Sequence, residues 1–146
     1  MRPTLDEYFI AMARLVASRG TCPRRQVGCI LADGLGRVLS TGYNGAPSGQ
    51  PHCEDEPCPG RGAPSGSSLD LCAAIHAEQN AIMFCADVRA IETCYCTAFP
   101  CASCAKLLLN TSCKRIVFVE DYPSGGAAQQ LWRRAGRTWQ QAAEPR

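Results

Sequence analysis

The sequence lacks three features that would each place it in a broad class of proteins. Its longest uninterrupted apolar runs are only a few residues, too short for a membrane-spanning helix. Its net charge is only +2 at pH 7, without the strong basic stripe of a nucleic-acid-binding domain. Residues 1–7 include acidic side chains where a secretory leader would be basic and then apolar. We therefore expect a cytoplasmic protein that binds neither nucleic acid nor a membrane.

The size and composition are those of an ordinary globular protein. The chain has 146 residues, of which 46% are hydrophobic and 19% charged. That length supports one hydrophobic core and is too short for two domains. We expect a single domain over residues 1–146.

Cysteine is the residue type in excess, with 11 in the chain. An odd number cannot all pair as disulfides, and we expect no leader that directs the chain to an oxidising compartment. Metal ligands and small buried apolar side chains are therefore the expected roles for these cysteines.

The apolar spacing predicts a mixed α/β domain with the order α-β-β-α-β-α-β-α-β. Thr4 and Glu7 form a capping-box pattern at the first helix, and Pro100 is expected at the first position of the third. Such an order implies one mixed sheet covered by helices. The predicted elements cover residues 4–18, 27–31, 38–41, 77–85, 93–97, 100–110, 116–119, 127–135 and 137–141.

Residues 42–68 form a long segment without helical or strand periodicity, rich in Gly, Pro and Ser. A structureless loop of this length is uncommon in a compact domain unless it is disordered or cross-linked and functional. The cysteines in and beside it favour the cross-linked interpretation.

Two short motifs carry the chemistry: His76-Ala77-Glu78 and Pro100-Cys101-Ala102-Ser103-Cys104. One imidazole and two thiolates suit zinc and leave the fourth position of a tetrahedral site open, as catalytic zinc sites do. Both motifs are predicted at helix starts, where free N–H groups favour thiolate over thiol. We expect His76, Cys101 and Cys104 to bind a catalytic zinc ion.

Glu78 gives the site its predicted reaction. Residues two apart share no helix face, so His76 and Glu78 converge only in an opening turn. Zinc lowers the pKa of a water in the open position, and Glu78 would carry the proton of that water. The two motifs together have the general signature of zinc-dependent base deaminases. A lone His beside a carboxylate is usually a surface pair and a lone CxxC is often redox-active or structural, but both motifs together favour zinc catalysis.

These motifs and three further segments resemble the deoxycytidylate (dCMP) deaminase family, within the cytidine deaminase superfamily. The resemblance covers roughly residues 4–141, and the glycine-rich loop separates this family from tRNA adenosine deaminases and free-cytidine deaminases. The matching segments are His76 to Ile82, Gly42 to Gly49, Val27-Gly28, Pro100 to Lys106 and Tyr122.

The resemblance implies a three-layer α-β-α cytidine deaminase-like fold around a five-stranded mixed sheet. It also implies zinc-dependent hydrolysis of dCMP to dUMP and ammonia by a homo-oligomer, a hexamer or a dimer. Asn44 is expected to contact the sugar and Tyr122 the base or sugar. The alternatives are a turn residue for Asn44 and an ordinary aromatic for Tyr122. Arg19, Arg24 and Arg25 are the nearest candidates in the sequence for the 5′-phosphate.

A second, structural zinc site is also implied, because several bacterial and phage members carry one in this region and Cys22 and Cys53 match its positions. With Cys58 and Cys72, four thiolates would close the site and attach the loop insertion, about residues 43–68, to the end of the first helix. His52 could replace one cysteine. The alternative is a set of free, oxidisable cysteines.

Five cysteines are expected only to pack in the core: Cys29, Cys85, Cys94, Cys96 and Cys113. Two other functions remain open. The chain could deaminate another cytosine species, such as dCTP, a modified dCMP or a nucleoside. It could also be a non-catalytic, zinc-stabilised regulatory or DNA-uptake protein, a role that would not need Glu78.

Overall fold

The computed structural model of the chain describes residues 1–64, 67, 72–121 and 126–143. The predicted order of elements is confirmed, and most ends lie within two residues of their predicted positions. In the described ranges, every helix is too short or too polar to cross a bilayer. The elements are α1 Leu5–Ala17, β1 Gly28–Ala32, β2 Val38–Tyr43, α2 Ala77–Met83, β3 Thr93–Ala98, α3 Ala102–Leu109, β4 Arg115–Glu120, α4 Gly126–Arg134 and β5 Thr138–Gln141.

The strands form one five-stranded sheet in the order β2-β1-β3-β4-β5. β1 pairs antiparallel with β2 and β3, while β3–β4 and β4–β5 are parallel. The parallel pairs are joined through α3 and α4, as crossover connections require. The predicted mixed sheet is confirmed.

Each face of the sheet is covered by helices. On one face α1 packs through Phe9 and Ala13 against strand residues such as Tyr95. On the other face α2, α3 and α4 bury a larger cluster that includes Leu108 and Trp132. The predicted α-β-α layering is confirmed.

The helix starts show why the two sequence motifs come together. α1 has the predicted capping box, with the Thr4 and Glu7 side chains each bonding the other's backbone N–H. His76 caps α2 and Cys101 caps α3, both in extended backbone conformation. The prediction that Pro100 occupies the first helical position is wrong, because Cys101 is the cap and Pro100 precedes it.

Two glycines allow helices to lie directly against the sheet. A Cβ on Gly42 in β2 would collide with the Ala77 carbonyl oxygen and lie 2.5 Å from the Ala81 nitrogen of α2. A Cβ on Gly28 in β1 would collide with the Ala13 carbonyl oxygen of α1. Because these contacts are to backbone, a side chain at either position must move a helix.

We expect Gly42→Ala to destabilise the fold by about 1–3 kcal/mol, because the new methyl group collides with the backbone at the start of α2. Gly34→Ala is the matched control: nothing lies within 4 Å of its Cβ, so its effect should stay within about 0.5 kcal/mol. Urea unfolding of both variants measures the difference. Equal midpoints for the two variants would contradict this account of the packing.

Candidate metal centre and active site

The caps of α2 and α3 bring the three predicted donors together. The Nδ1 atom of His76 lies 3.4 Å from the Cys101 sulfur and 3.3 Å from the Cys104 sulfur. All three donor atoms lie within 4.8 Å of one another. Cys101 and Cys104 are buried, and His76 is partly buried.

The spacing and chemistry of these donors fit zinc. For an ion about 2.0 Å from nitrogen and about 2.3 Å from sulfur in tetrahedral geometry, nitrogen and sulfur lie about 3.5 Å apart. The observed 3.3 and 3.4 Å are close to this spacing. Three donors of nitrogen and sulfur type could therefore hold one ion and leave one position for another ligand.

The donor set is already partly organised for a cation. Hydrogen bonds from Cys104 and His76 lower the pKa of the Cys101 thiol to about 4. The same contact with Cys101, together with burial, raises the pKa of Cys104. Cys101 is therefore favoured as a thiolate, and a bound divalent ion would favour loss of the Cys104 proton as well.

Glu78 lies in the first turn of α2, beside the donor set, and is only 4% exposed. Burial raises the pKa of its carboxyl group to about 7, and the nearby His76 acts in the opposite direction. The negative charge of Glu78 in turn contributes to the raised pKa of the Cys104 thiol. The structure places His76 and Glu78 together in the opening turn of α2, as predicted.

A cavity opens onto these residues. It is lined by His76, Glu78 and Cys101 together with apolar residues that include Val27 and Phe99. Phe99 was not among the residues predicted for the site. Its place directly before Pro100-Cys101 was the only signal in the sequence that it lines the cavity. The cavity presents a buried carboxyl group and a potential metal ion to a ligand of limited size.

Asn44 also lines this cavity and is 8% exposed. Its side-chain oxygen accepts from the Val27 N–H at 2.8 Å, and its amide nitrogen donates to the Arg25 carbonyl at 2.7 Å. Asn44 is therefore both a structural link and a cavity residue, so the turn role considered from the sequence and a ligand contact are compatible. Tyr122, the other predicted substrate residue, lies outside the described residues.

Two of the three candidate arginines line the cavity, Arg24 and Arg25. Arg24 donates to the carbonyls of Gly60, Pro64 and Ser67 at 2.6 to 3.1 Å. Arg25 pairs with Glu120 at 2.6 Å. Arg19 is not among the cavity residues.

The four cysteines predicted for a second metal are only partly brought together. The Cys53 and Cys58 sulfurs lie 3.3 Å apart, and the Cys58 N–H donates to the Cys53 sulfur. Cys72 interacts electrostatically with Cys22 and Cys58 and lines the cavity. In the described part of the chain, these four are not among the donor groups that converge within 4.8 Å. His52 is exposed.

A second convergent donor group was not predicted: Cys29, Cys94 and Cys96. Each is buried, as expected for core packing. The alternation Cys94-Tyr95-Cys96 indicated that two of the thiols share a strand face. Only the pairing of β1 with β3 places Cys29 beside them.

The α-β-α fold and the His-Cys-Cys donor set with its buried carboxyl group define the class of the protein, the cytidine deaminase superfamily of zinc proteins. The family model described as the cytidine and deoxycytidylate deaminase zinc-binding region matches residues 3–120. The chain belongs to this family.

Known deaminases are similar to nearly the whole chain. A deoxycytidylate deaminase of Mycobacterium phage D29 is 38% identical over 82% of this chain and 98% of its own length. That of Schizosaccharomyces pombe is 36% identical over 99% of this chain and 46% of its own length. The chain thus spans about half the length of its fungal relatives, 46% and 48%.

A solved structure supports the fold. The dCMP deaminase of cyanophage S-TIM5, in complex with dCMP and dUMP, has a TM-score of 0.78 at 26% identity. The match covers 97% of this chain and 99% of the phage chain. The predicted cytidine deaminase fold is confirmed.

The contacts of Arg24 predict that it anchors the loop segment that contains Gly60 and Pro64. We expect Arg24→Gln to speed hydrogen exchange of the Arg61 and Ala63 amides about tenfold, because the carbonyls of this segment lose their charged donor. Arg25→Gln is the control, since the Arg25 side chain contacts Glu120 instead. Hydrogen exchange with mass spectrometry measures both, and equal rates in the two variants would contradict the anchoring role.

Proposed function

We propose that this chain hydrolyses dCMP to dUMP and ammonia, using one zinc ion held by His76, Cys101 and Cys104. The observation that carries the proposal is the buried carboxyl group of Glu78, which lines the cavity beside the donor set. A purely structural metal site has no need of an acid there. The family membership and the dCMP-bound phage relative support the choice of substrate.

Glu78 moves the protons in this proposal. Zinc, when bound, supplies Lewis-acid activation of a water molecule. The carboxylate of Glu78 accepts the proton that water gives up and passes it to the ring nitrogen of the cytosine. After the hydroxide oxygen has bonded to C4 of the ring, Glu78 takes the remaining proton of that oxygen and delivers it to the amino group, which leaves as ammonia when the C4–N bond breaks. A pKa of about 7, raised mainly by burial, suits a group that must both accept and return a proton near neutral pH.

Other cavity residues would orient the nucleotide. The Asn44 amide has two N–H groups, one of which donates to the Arg25 carbonyl, so the other is the proposed donor to the sugar. We propose the same region of the substrate for Tyr122. Arg24 and Arg25 line the cavity and are the proposed phosphate contacts, since guanidinium groups bind phosphate through paired N–H donors.

We expect the wild-type protein to release ammonia from dCMP, and Glu78→Gln to reduce that rate by a factor of about 10²–10⁴ because the proton carrier is lost. Zinc content should not change, since the amide is not a ligand. An ammonia-release assay with elemental analysis of the same samples measures both quantities. Glu92→Gln is the control, an acid on the surface whose partner is Lys114.

A substrate panel of dCMP, CMP, dCTP, deoxycytidine and a tRNA anticodon stem decides between the proposal and its alternatives. Preference for dCTP or deoxycytidine would replace dCMP with another cytosine species. No turnover of any of these by the zinc-loaded protein would favour the non-catalytic regulatory or DNA-uptake role.

We also propose a second, structural zinc ion held by Cys22, Cys53, Cys58 and Cys72. Its support is the contact between the Cys53 and Cys58 sulfurs and the electrostatic proximity of Cys22 to Cys53 and Cys72. Two of the four, Cys22 and Cys53, are buried. If the four thiolates bound one zinc ion, the ion would attach residues 53–58 to the segment that follows α1.

The protein purified with zinc should contain about two zinc ions per chain, and Cys53→Ser should contain about one, because a closed four-thiolate site does not survive loss of a ligand. Elemental analysis measures the metal. Cys85→Ser is the control, as Cys85 lies outside both proposed zinc sets. One zinc ion per chain in both wild type and Cys53→Ser would eliminate the second site.

We further propose a cytoplasmic location and a homo-oligomer, a hexamer or a dimer. Large apolar side chains at the end of α2 support association, since Met83 is 65% and Phe84 73% exposed.

A further inference from the structure

Glu120 is an acid beside the cavity that contains Glu78. It is the last residue of β4, and its carbonyl oxygen accepts from the Phe99 N–H at 2.8 Å. Phe99 lines the cavity, and so does Ala98, the partner of Glu120 in the parallel pairing of β3 with β4. Ligands of such sheets bind outside the carboxyl ends of parallel strands. Glu120 therefore stands next to the place that the proposed substrate would occupy.

The side chain of Glu120 pairs with Arg25. The Nη2 atom of Arg25 lies 2.6 Å from Oε2 of Glu120, and the Glu120 side chain is the more exposed of the two, 69% against 22%. Arg25 lines the cavity, whereas Glu120 lines a neighbouring groove together with Asp121 and Gln141. Arg25 thus contacts both the cavity and an acid outside it.

The two arginines of the cavity differ in their partners. Arg24 donates to three neutral loop carbonyls, whereas the charge of Arg25 is balanced by Glu120. Together these three side chains carry a net charge of about +1 at neutral pH. A nucleoside brings no charge to this place, a 5′-monophosphate brings about two negative charges, and a triphosphate brings more. The local charge therefore suits a short phosphate chain better than a long one.

We propose that Glu120 makes the cavity select a nucleoside monophosphate over the triphosphate, an inference that rests on the proposed function. With the base at the metal and the 5′-phosphate at Arg25, further phosphate groups extend towards Glu120 outside the cavity. The carboxylate repels them, and an interaction that disfavours the wrong ligand is a source of specificity. Arg25 still binds the first phosphate. Glu120 takes no part in the proton transfers.

The test measures equilibrium binding to the zinc-loaded Glu78→Gln protein, which should not convert its ligands. Calorimetry gives the Kd of dCMP, and displacement of dCMP gives the Kd of dCTP and of deoxycytidine. Adding Glu120→Gln should tighten dCTP binding about tenfold and dCMP binding about twofold, and leave deoxycytidine unchanged, because the repulsion grows with the charge of the ligand.

Asp121→Asn in the same protein is the matched control. It removes an equal charge one residue further on, from a carboxylate that accepts from Gln129 at 3.0 Å instead of pairing with Arg25. Because the control acid is further from Arg25 and exposed charges are screened, dCTP binding should change by less than about twofold. The gain from Glu120→Gln should also shrink in about 0.5 M salt.

Four results would overturn the proposal. They are tighter binding of dCTP than of dCMP before Glu120 is changed, weaker dCMP binding in Glu120→Gln, equal effects of Glu120→Gln and Asp121→Asn, and no binding of any of the three ligands. Turnover of dCMP by the wild-type protein is measured separately. Turnover with an unchanged ratio of dCTP to dCMP affinity refutes only the role of Glu120, whereas the expected binding pattern without turnover refutes only the proposed reaction.

Discussion

The meeting of two helix starts is the constraint on which the site depends. His76 and Cys101 are both N-caps with extended backbone, so their side chains stand at the helix ends instead of on the helix sides. Ile75, just before His76, is bridged to Gly45, and Gly42 lets the backbone of α2 lie against β2. A shift of about 1 Å at either helix would separate ligands that must share one ion.

Burial then gives the assembled groups their chemistry. A carboxyl group in water is ionised at neutral pH, but Glu78 is buried and its pKa rises to about 7. The adjacent sulfurs differ because they hydrogen-bond each other: with His76, this contact lowers the pKa of Cys101 against the effect of burial, and it raises the pKa of Cys104 in the same direction as burial. Burial and hydrogen bonding together would thus prepare both a proton carrier and a cation site.

Sequence patterns predicted most of this arrangement because its parts are local. Capping, apolar periodicity and the two motifs fixed the order of elements and the convergence of His76 with Cys101 and Cys104. The cap position of Cys101, one residue after the expected helix start, depends on backbone angles that a Pro-Cys pair does not determine. The anchoring of the loop by Arg24 depends on contacts about 40 residues apart, for which no periodicity exists. The convergence of Cys29 with Cys94 and Cys96 required knowledge of strand register, since a shift of one residue would turn Cys29 to the opposite face.

The buried thiols of Cys29, Cys94 and Cys96 and the catalytic centre are electrostatically connected, which limits the charge that the core can hold. Cys94 is close enough to Glu78 to contribute to its raised pKa. An unbalanced thiolate among these three residues would raise that pKa further and favour the protonated form of Glu78, when it should accept a proton. Three neutral thiols avoid this penalty. Charge neutrality in this part of the core is therefore a requirement of the proposed proton transfer as well as of the burial of the thiols.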